Sequence, residues 1–197
     1  MFGFKIEVSN ADELANRYLK EATQRKKEDI NAAITLLKKA YNEIAKIKFD
    51  YSVEVFLRLP MYLQVANRSD EAMVEFEKLL QNGYINQNRK KELIPMTDST
   101  IYDKMRLFFQ REKKFQTAVS YGIYSMLLWN LGLHRQKRFN QLYQPEHKEF
   151  IKERITPLLK KAKRLDLLNS VVDIFIQELN KLPNIISFVE LQKEIDG

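Results

Sequence analysis

Apolar residues recur every three or four positions through almost all of the chain from Asn10 onward. This helical period is the feature that most limits how the chain can fold. We expect helices at about 11–26, 28–48, 52–67, 70–81, 99–111, 115–131, 146–155, 157–163, 166–181 and 185–195. Helices and strands do not alternate along the sequence, so it predicts an all-α protein built of antiparallel helical hairpins.

Three local signals predict where helices begin or end. Asn82-Gly83 is typical of a helix that stops in a left-handed residue. Thr156-Pro157 is interpreted as a cap followed by the first helical position, where proline is tolerated. Pro60 is expected either to kink its helix or to mark the true start of one.

The first nine residues form an apolar arm in which large side chains alternate at Phe2, Phe4, Ile6 and Val8. This is a strand period, but the sequence offers no second strand to pair with it. An exposed strand of this kind favours aggregation, so we expect a groove to bury it. The groove belongs either to this chain or to a second copy, and the second case gives a homodimer through the arm.

Residues 84–98, "YINQNRKKELIPMTD", are polar and basic and end near Pro95. They form the long connection of the chain and are predicted to be a loop. On this basis residues 10–144 are predicted to form helical repeats that contain the loop. Residues 145–197 are predicted to form a C-terminal helical extension packed on those repeats.

Two segments share the same offsets around a central alanine. The first set is Phe56, Leu59, Pro60, Leu63, Ala72 and Phe76, and the second is Tyr102, Met105, Arg106, Phe109, Ala118 and Gly122. Two helices can pack closely only where a small residue lies at their crossing. We therefore expect Ala72 and Ala118 at the crossings of two hairpins.

These offsets resemble the tetratricopeptide repeat, in which an aromatic-x₂-L-G-x₂-Y helix is followed by an A-x₃-F helix. The resemblance implies a short superhelical array of stacked hairpins. Pro60 and Arg106 stand where the family has a small residue, and Ala72 and Ala118 are 46 residues apart rather than the family's 34. An unrelated helical bundle with the same offsets is the alternative.

In this family the first helices line a concave groove that binds a partner segment. The resemblance implies that the groove positions here are Glu54, Leu57, Met61, Gln64, Val65, Asp103, Lys104, Leu107, Gln110 and Arg111. Met61 and Thr100 replace the asparagine and lysine of the clamp that grips chaperone tails. We therefore expect another protein or peptide partner, such as an amphipathic segment. The implied function is a non-catalytic protein–protein interaction module, a small adaptor or regulator.

Signatures of enzymes and metal sites are missing from the sequence. His134 and His147 belong to no ligand array, the glycines form no phosphate loop, and there is no cysteine. We expect no catalysis, no cofactor and no metal. The N-terminus lacks the features of a secretory signal and no apolar run could span a bilayer, so a soluble, cytoplasmic protein is predicted.

The net charge of +7 leaves a second functional hypothesis open. Basic clusters at 134–138 and 160–164 could contact nucleic acid or an acidic partner. The residues concerned are Arg135, Lys137, Arg138, Lys160, Lys161, Lys163 and Arg164. The simpler interpretation is that these side chains solvate helix surfaces and helix ends.

Overall fold

The computed structural model describes residues 10–47, 51–82, 94–142 and 148–196, which are helical or lie in turns between helices. The all-α prediction is confirmed, and these residues contain no strand. Within the same ranges, no helix is long and apolar enough to cross a membrane. The chain divides into two compact units, Met1–Asn88 and Arg89–Gly197. The predicted arm, residues 1–9, lies outside the described residues.

Unit 1 contains α1 (Asn10–Arg25), α2 (Ile30–Ile44), α3 (Val53–Phe56), α4 (Arg58–Val65) and α5 (Ser69–Asn82). Helix α1 packs on α2, α2 on α4, and α4 on α5. Small side chains are fully buried in the first two helices, at Ala15, Ala22, Ala33 and Ala40. Because alanine occupies little space, it allows the backbones of neighbouring helices to come close together.

The helix predicted at 52–67 is interrupted, because α3 ends at Phe56 and α4 begins at Arg58. Tyr41 of α2 stabilises the break, since its hydroxyl donates to the carbonyl oxygens of Val55 at 2.7 Å and Phe56 at 3.2 Å. Burial raises the pKa of Tyr41 well above its ordinary value. Of the two expectations for Pro60, the structure shows the helix start: this residue lies in the first turn of α4.

Unit 2 contains α6 (Ile94–Arg111), α7 (Phe115–Arg135), α8 (Lys148–Ala162), α9 (Leu168–Asn180) and α10 (Phe188–Asp196). Helices α6, α8, α9 and α10 all pack on α7. The boundary between the two units falls at 88/89. The C-terminal helices therefore share a core with the second hairpin, and fully buried members of that core include Val119, Leu127, Ile151 and Phe175.

Helices α6 and α7 touch through small residues. The hydroxyl of Ser99 donates to the carbonyl oxygen of Ser125 at 2.8 Å, and the Ser125 hydroxyl donates to the carbonyl oxygen of Ser99 at 2.9 Å. Further along α7, a Cβ atom at Gly132 would lie 2.3 Å from Cγ of Met96 and 3.2 Å from its backbone nitrogen. Any side chain at position 132 would therefore push the two helices apart.

Two predictions of irregular structure are wrong. Helix α6 begins at Ile94, so residues 94–98 are helical and not part of a loop, while residues 84–93 lie outside the described residues. Pro95 fits because the first helical turn needs no amide donor from it. In α8, Pro157 lies inside one continuous helix, and the Thr156 hydroxyl donates to the Lys152 carbonyl at 2.6 Å instead of capping a new helix.

A buried carboxylate organises the connection from α9 to α10. Glu178 is 1% exposed, forms an ion pair with Lys181 and accepts a hydrogen bond from the backbone amide of Ile186 at 2.7 Å. Ser187 and Glu190 then form a capping box, in which the Ser187 amide donates to Glu190 Oε2 at 2.9 Å. These hydrogen bonds lower the pKa of the Glu190 carboxyl.

Four helices end in the same left-handed turn. The residues with positive φ are Asn67 (58°), Lys113 (60°), Lys137 (58°) and Lys163 (58°). In each case the next amide donates to the carbonyl five residues earlier at 2.9 Å, from Arg68 to Leu63, Lys114 to Phe109, Arg138 to Leu133 and Arg164 to Leu159. This is the hydrogen bond of a Schellman motif, which satisfies helix carbonyls that would otherwise lack donors.

The substitution Lys163→Gly should raise the free energy of unfolding by up to about 1 kcal/mol, because glycine adopts positive φ without the clash that a Cβ atom causes. The matched control is Lys20→Gly, at an exposed position within α1, which should cost about 1 kcal/mol. Urea unfolding of both variants measures the difference. Equal destabilisation by the two would contradict the assignment of the turn.

Ala72→Leu and Ala118→Leu should each cost about 1–3 kcal/mol of stability by overpacking. Both alanines are 0% exposed, in the hairpins that α4 forms with α5 and α6 forms with α7. The control Val74→Leu changes the exposed face of α5, where Val74 is 48% exposed, and should leave stability unchanged. The measurement is the melting temperature of each variant. Unchanged melting of both Ala72→Leu and Ala118→Leu would show that neither alanine lies at a tight contact between helices.

Candidate functional site

A crevice between α6, α7 and α8 of unit 2 combines charged walls with an apolar floor. Its volume is about 150 Å³, and residues that line it include Asp103, Arg106, Gly122, Met126, Arg154 and Leu158. The second hairpin supplies α6 and α7, and the C-terminal segment supplies α8. The crevice therefore exists because α8 packs against α7 beside the hairpin.

Arg106 is held in place by two residues of its own helix. Its Nε donates to Oδ1 of Asp103 at 2.8 Å, and its Nη1 donates to Oε1 of Gln110 at 3.0 Å. These partners lie three residues before and four residues after Arg106, which is the spacing at which helical side chains meet. The guanidinium keeps further N–H donors for a ligand, because it has five in all.

The opposite wall carries a second guanidinium. Arg154 is exposed on α8, and its Cζ lies 5.7 Å from the ring centroid of Phe150. No carboxylate of the described residues forms an ion pair with Arg154. Asp103 forms an ion pair with Arg106, which leaves the charge of Arg154 without a described counter-charge. The crevice therefore has an excess of positive charge beside its apolar floor.

Gly122 makes room for Arg106 at the floor of the crevice. A Cβ atom at position 122 would lie 2.9 Å from Cδ of Arg106, which is closer than nonbonded carbon atoms normally approach. The arginine stem therefore lies directly on the backbone of α7. Any larger residue at position 122 would displace the guanidinium.

An aromatic cluster beside the crevice fixes α10 against the hairpin. Its members are Tyr102, Phe109, Tyr121, Tyr124 and Phe188, and the closest ring centroids are 4.5 Å apart, between Tyr121 and Phe188. Burial raises the pKa of Tyr102 and of Tyr124 above the ordinary value for tyrosine. The rings pack Phe188 of α10 against both helices of the hairpin.

Five of the predicted groove residues lie in unit 1, and two of them are not accessible. Leu57 is 2% exposed and Gln64 is 7% exposed, so the prediction that they contact a partner is wrong. Glu54 and Val65 are exposed, and Met61 is half-buried.

The other five predicted groove residues lie on α6. Asp103 lines the crevice and, with Gln110, positions Arg106. Lys104 and Leu107 are half-buried, and Arg111 is exposed at the end of the helix. In the sequence Arg106 stands out only as a departure from a family pattern, and nothing in the sequence pattern singles out Arg154. Acidic and amide residues at helical spacing around Arg106 were the signal that could have revealed its role.

The two predicted basic clusters lie at opposite ends of α7. Arg135, Lys137 and Arg138 follow the C-terminal end of this 21-residue helix, which is about 30 Å long. Lys161 lies at the other end, with its Nζ 5.7 Å from the ring centroid of Phe115. There it meets Lys113 and Lys114, which the sequence analysis did not single out.

No protein-family model, curated protein or solved structure matches this chain. Within residues 10–47, 51–82, 94–142 and 148–196, no group of three histidine, aspartate or glutamate side chains is arranged to hold a metal ion.

The Tyr102→Phe variant should be less sensitive to alkaline unfolding than the wild type. A phenol whose pKa is raised in the folded state contributes stability that is complete below the unfolded value of 10.0 and is lost as the pH rises above it. Phenylalanine keeps the ring and removes the titration. The melting temperatures of the variant and the wild type should be similar near about pH 8, and the variant should melt at the higher temperature near about pH 11. Parallel curves would show that Tyr102 is accessible to solvent in its ionised form.

Proposed function

We propose that this protein is a non-catalytic protein-interaction module, a small adaptor or regulator, that binds a partner segment in the crevice between α6, α7 and α8. The observation that carries the proposal is the preorganised guanidinium of Arg106 beside an apolar floor and the exposed Arg154. Arginine beside apolar contact area is typical of residues that dominate binding energy at protein interfaces.

The chemistry of the crevice defines the segment that fits it. Met126 and Leu158 offer a floor for an apolar side chain, and Arg154 together with the remaining donors of Arg106 offers a site for a carboxylate. A volume of about 150 Å³ accommodates one or two side chains rather than a whole helix. The segment we propose therefore presents an acidic residue close to an apolar one.

We further propose that the hairpins stack in an array similar to tetratricopeptide repeats. Two findings support this. Ala72 and Ala118 are both fully buried. In both hairpins the first helix ends in a left-handed residue, Asn67 or Lys113, five positions before that alanine. A cytoplasmic location and a homodimer through residues 1–9 stay predictions.

Binding of nucleic acid through 134–138 and 160–164 is less well supported as an alternative. The two clusters are separated by the length of α7, about 30 Å. A ligand that used both would have to extend along or around this helix. Steep salt dependence of retention on RNA or DNA would favour that alternative.

The experiment that tests the proposed function is selection of peptides from a displayed library on the purified full chain, followed by affinity measurement. Selected peptides should share an acidic residue next to apolar ones. Arg154→Glu should weaken their binding by about tenfold or more, because charge reversal repels the carboxylate. Gly122→Ala should also weaken binding, because it displaces Arg106 while keeping every charge.

The matched control is Arg17→Glu. Arg17 is an exposed arginine in α1 whose Cζ lies 5.7 Å from the ring centroid of Tyr18, the same distance as Arg154 from Phe150. Arg17 has the same kind of ring contact but lies outside the crevice. Reversal of its charge should therefore change the affinity for the peptides by no more than about twofold from the wild type, or about 0.4 kcal/mol. Failure to enrich any peptide, or equal losses in the two charge reversals, would refute the proposed site.

A further inference from the structure

We propose that unit 2 has a second, separate site, for a small polyphosphate anion, at the end where the α6–α7 turn meets the C-terminal end of α8. The lysines that define it are Lys113, Lys114 and Lys161, which line a concavity of about 360 Å³. Two of the three come from the turn and one from α8, so the site depends on the packing of the helices.

None of the three lysines forms an ion pair with a carboxylate of the described residues. Asp166, the acid that follows α8, is taken by Arg164, whose Nε lies 3.2 Å from Oδ2 and 3.3 Å from Oδ1. Glu112, before Lys113, is half-buried and has contacts of its own.

Further positive charge surrounds the concavity. Lys160 and Lys163 are exposed next to Lys161 along the chain and have no ion pair with a described residue. Like charges brought together repel one another, so the arrangement is least costly when an anion lies between them. Phosphate groups carry the multiple negative charge that three ammonium groups can share.

The start of α7 adds positive potential at the same place. Helix α7 begins at Phe115, and its N-cap residue Lys114 makes no side-chain capping hydrogen bond. Gln116 and Thr117 of this first turn also line the concavity. An anion bound by the lysines therefore lies beside the positive end of the α7 dipole.

The shape favours a compact anion over a nucleic-acid strand. A volume of about 360 Å³ falls at the lower end of the range for small-molecule sites. Among the described lining residues the one aromatic ring is Phe115, and the ammonium of Lys161 lies 5.7 Å from its centroid, where it competes with a stacked base. The other basic cluster, Arg135 with Lys137 and Arg138, lies about 30 Å away at the far end of α7.

The test uses the full chain and inorganic triphosphate as the probe, titrated by calorimetry at low ionic strength. We expect one ion bound per chain. The double variant Lys113→Gln/Lys161→Gln should weaken binding at least about tenfold, because it removes two of the three charged hydrogen-bond donors. Triphosphate should also raise the melting temperature of the wild type and not that of this variant.

The control variant is Lys137→Gln/Lys20→Gln, which removes two lysines outside the basic concavity. Lys137 has the same left-handed backbone and the same turn as Lys113, and Lys20 is an exposed lysine within α1. Both variants lose the same net charge. The control should retain an affinity within about twofold of the wild type, a difference of about 0.4 kcal/mol.

Three results would overturn the proposal: no measurable binding of triphosphate, equal weakening in both double variants, or binding of several ions without saturation. A single-stranded RNA of about 20 nucleotides and vesicles containing phosphatidylserine serve as competing probes. Tighter binding of either, with losses in both double variants, would replace the compact site by a diffuse electrostatic surface. Peptide binding in the crevice is measured separately, so either proposal can fail without the other.

Discussion

The close contact between α6 and α7 is the constraint on which unit 2 depends. It is possible because Gly132 lies against Met96 and because Ser99 and Ser125 exchange hydrogen bonds between side chain and backbone. Each serine hydroxyl then has a partner inside a contact from which water is excluded, so its burial is not costly. Helix α7 can therefore be covered by α6 on one side and by α8, α9 and α10 on others.

The contact between Arg106 and Gly122 connects the packing of α6 on α7 to the proposed binding crevice. The long side chain of Arg106 lies over Gly122 and fills the space between α6 and α7 at this point. This packing places the guanidinium in the charged wall of the crevice.

Much of the fold could be predicted from the sequence, because the spacing of apolar residues within a short stretch is enough to predict a helix. The helix predicted at 70–81 is observed at Ser69–Asn82, and that at 28–48 is observed at Ile30–Ile44. Single residue types predict helix boundaries less well than the apolar period does. Pro95 and Pro157 suggest boundaries, but Pro95 lies in a first helical turn and Pro157 lies on an exposed helix face. There water can bind the Glu153 carbonyl, which lacks an amide donor.

The sites were harder to predict, because they depend on which helix ends come together. The sequence identifies the basic clusters 134–138 and 160–164 but not their positions, and α8 packs on α7 so that Lys161 reaches Phe115 and not Arg135. Offsets along a chain contain no information of this kind.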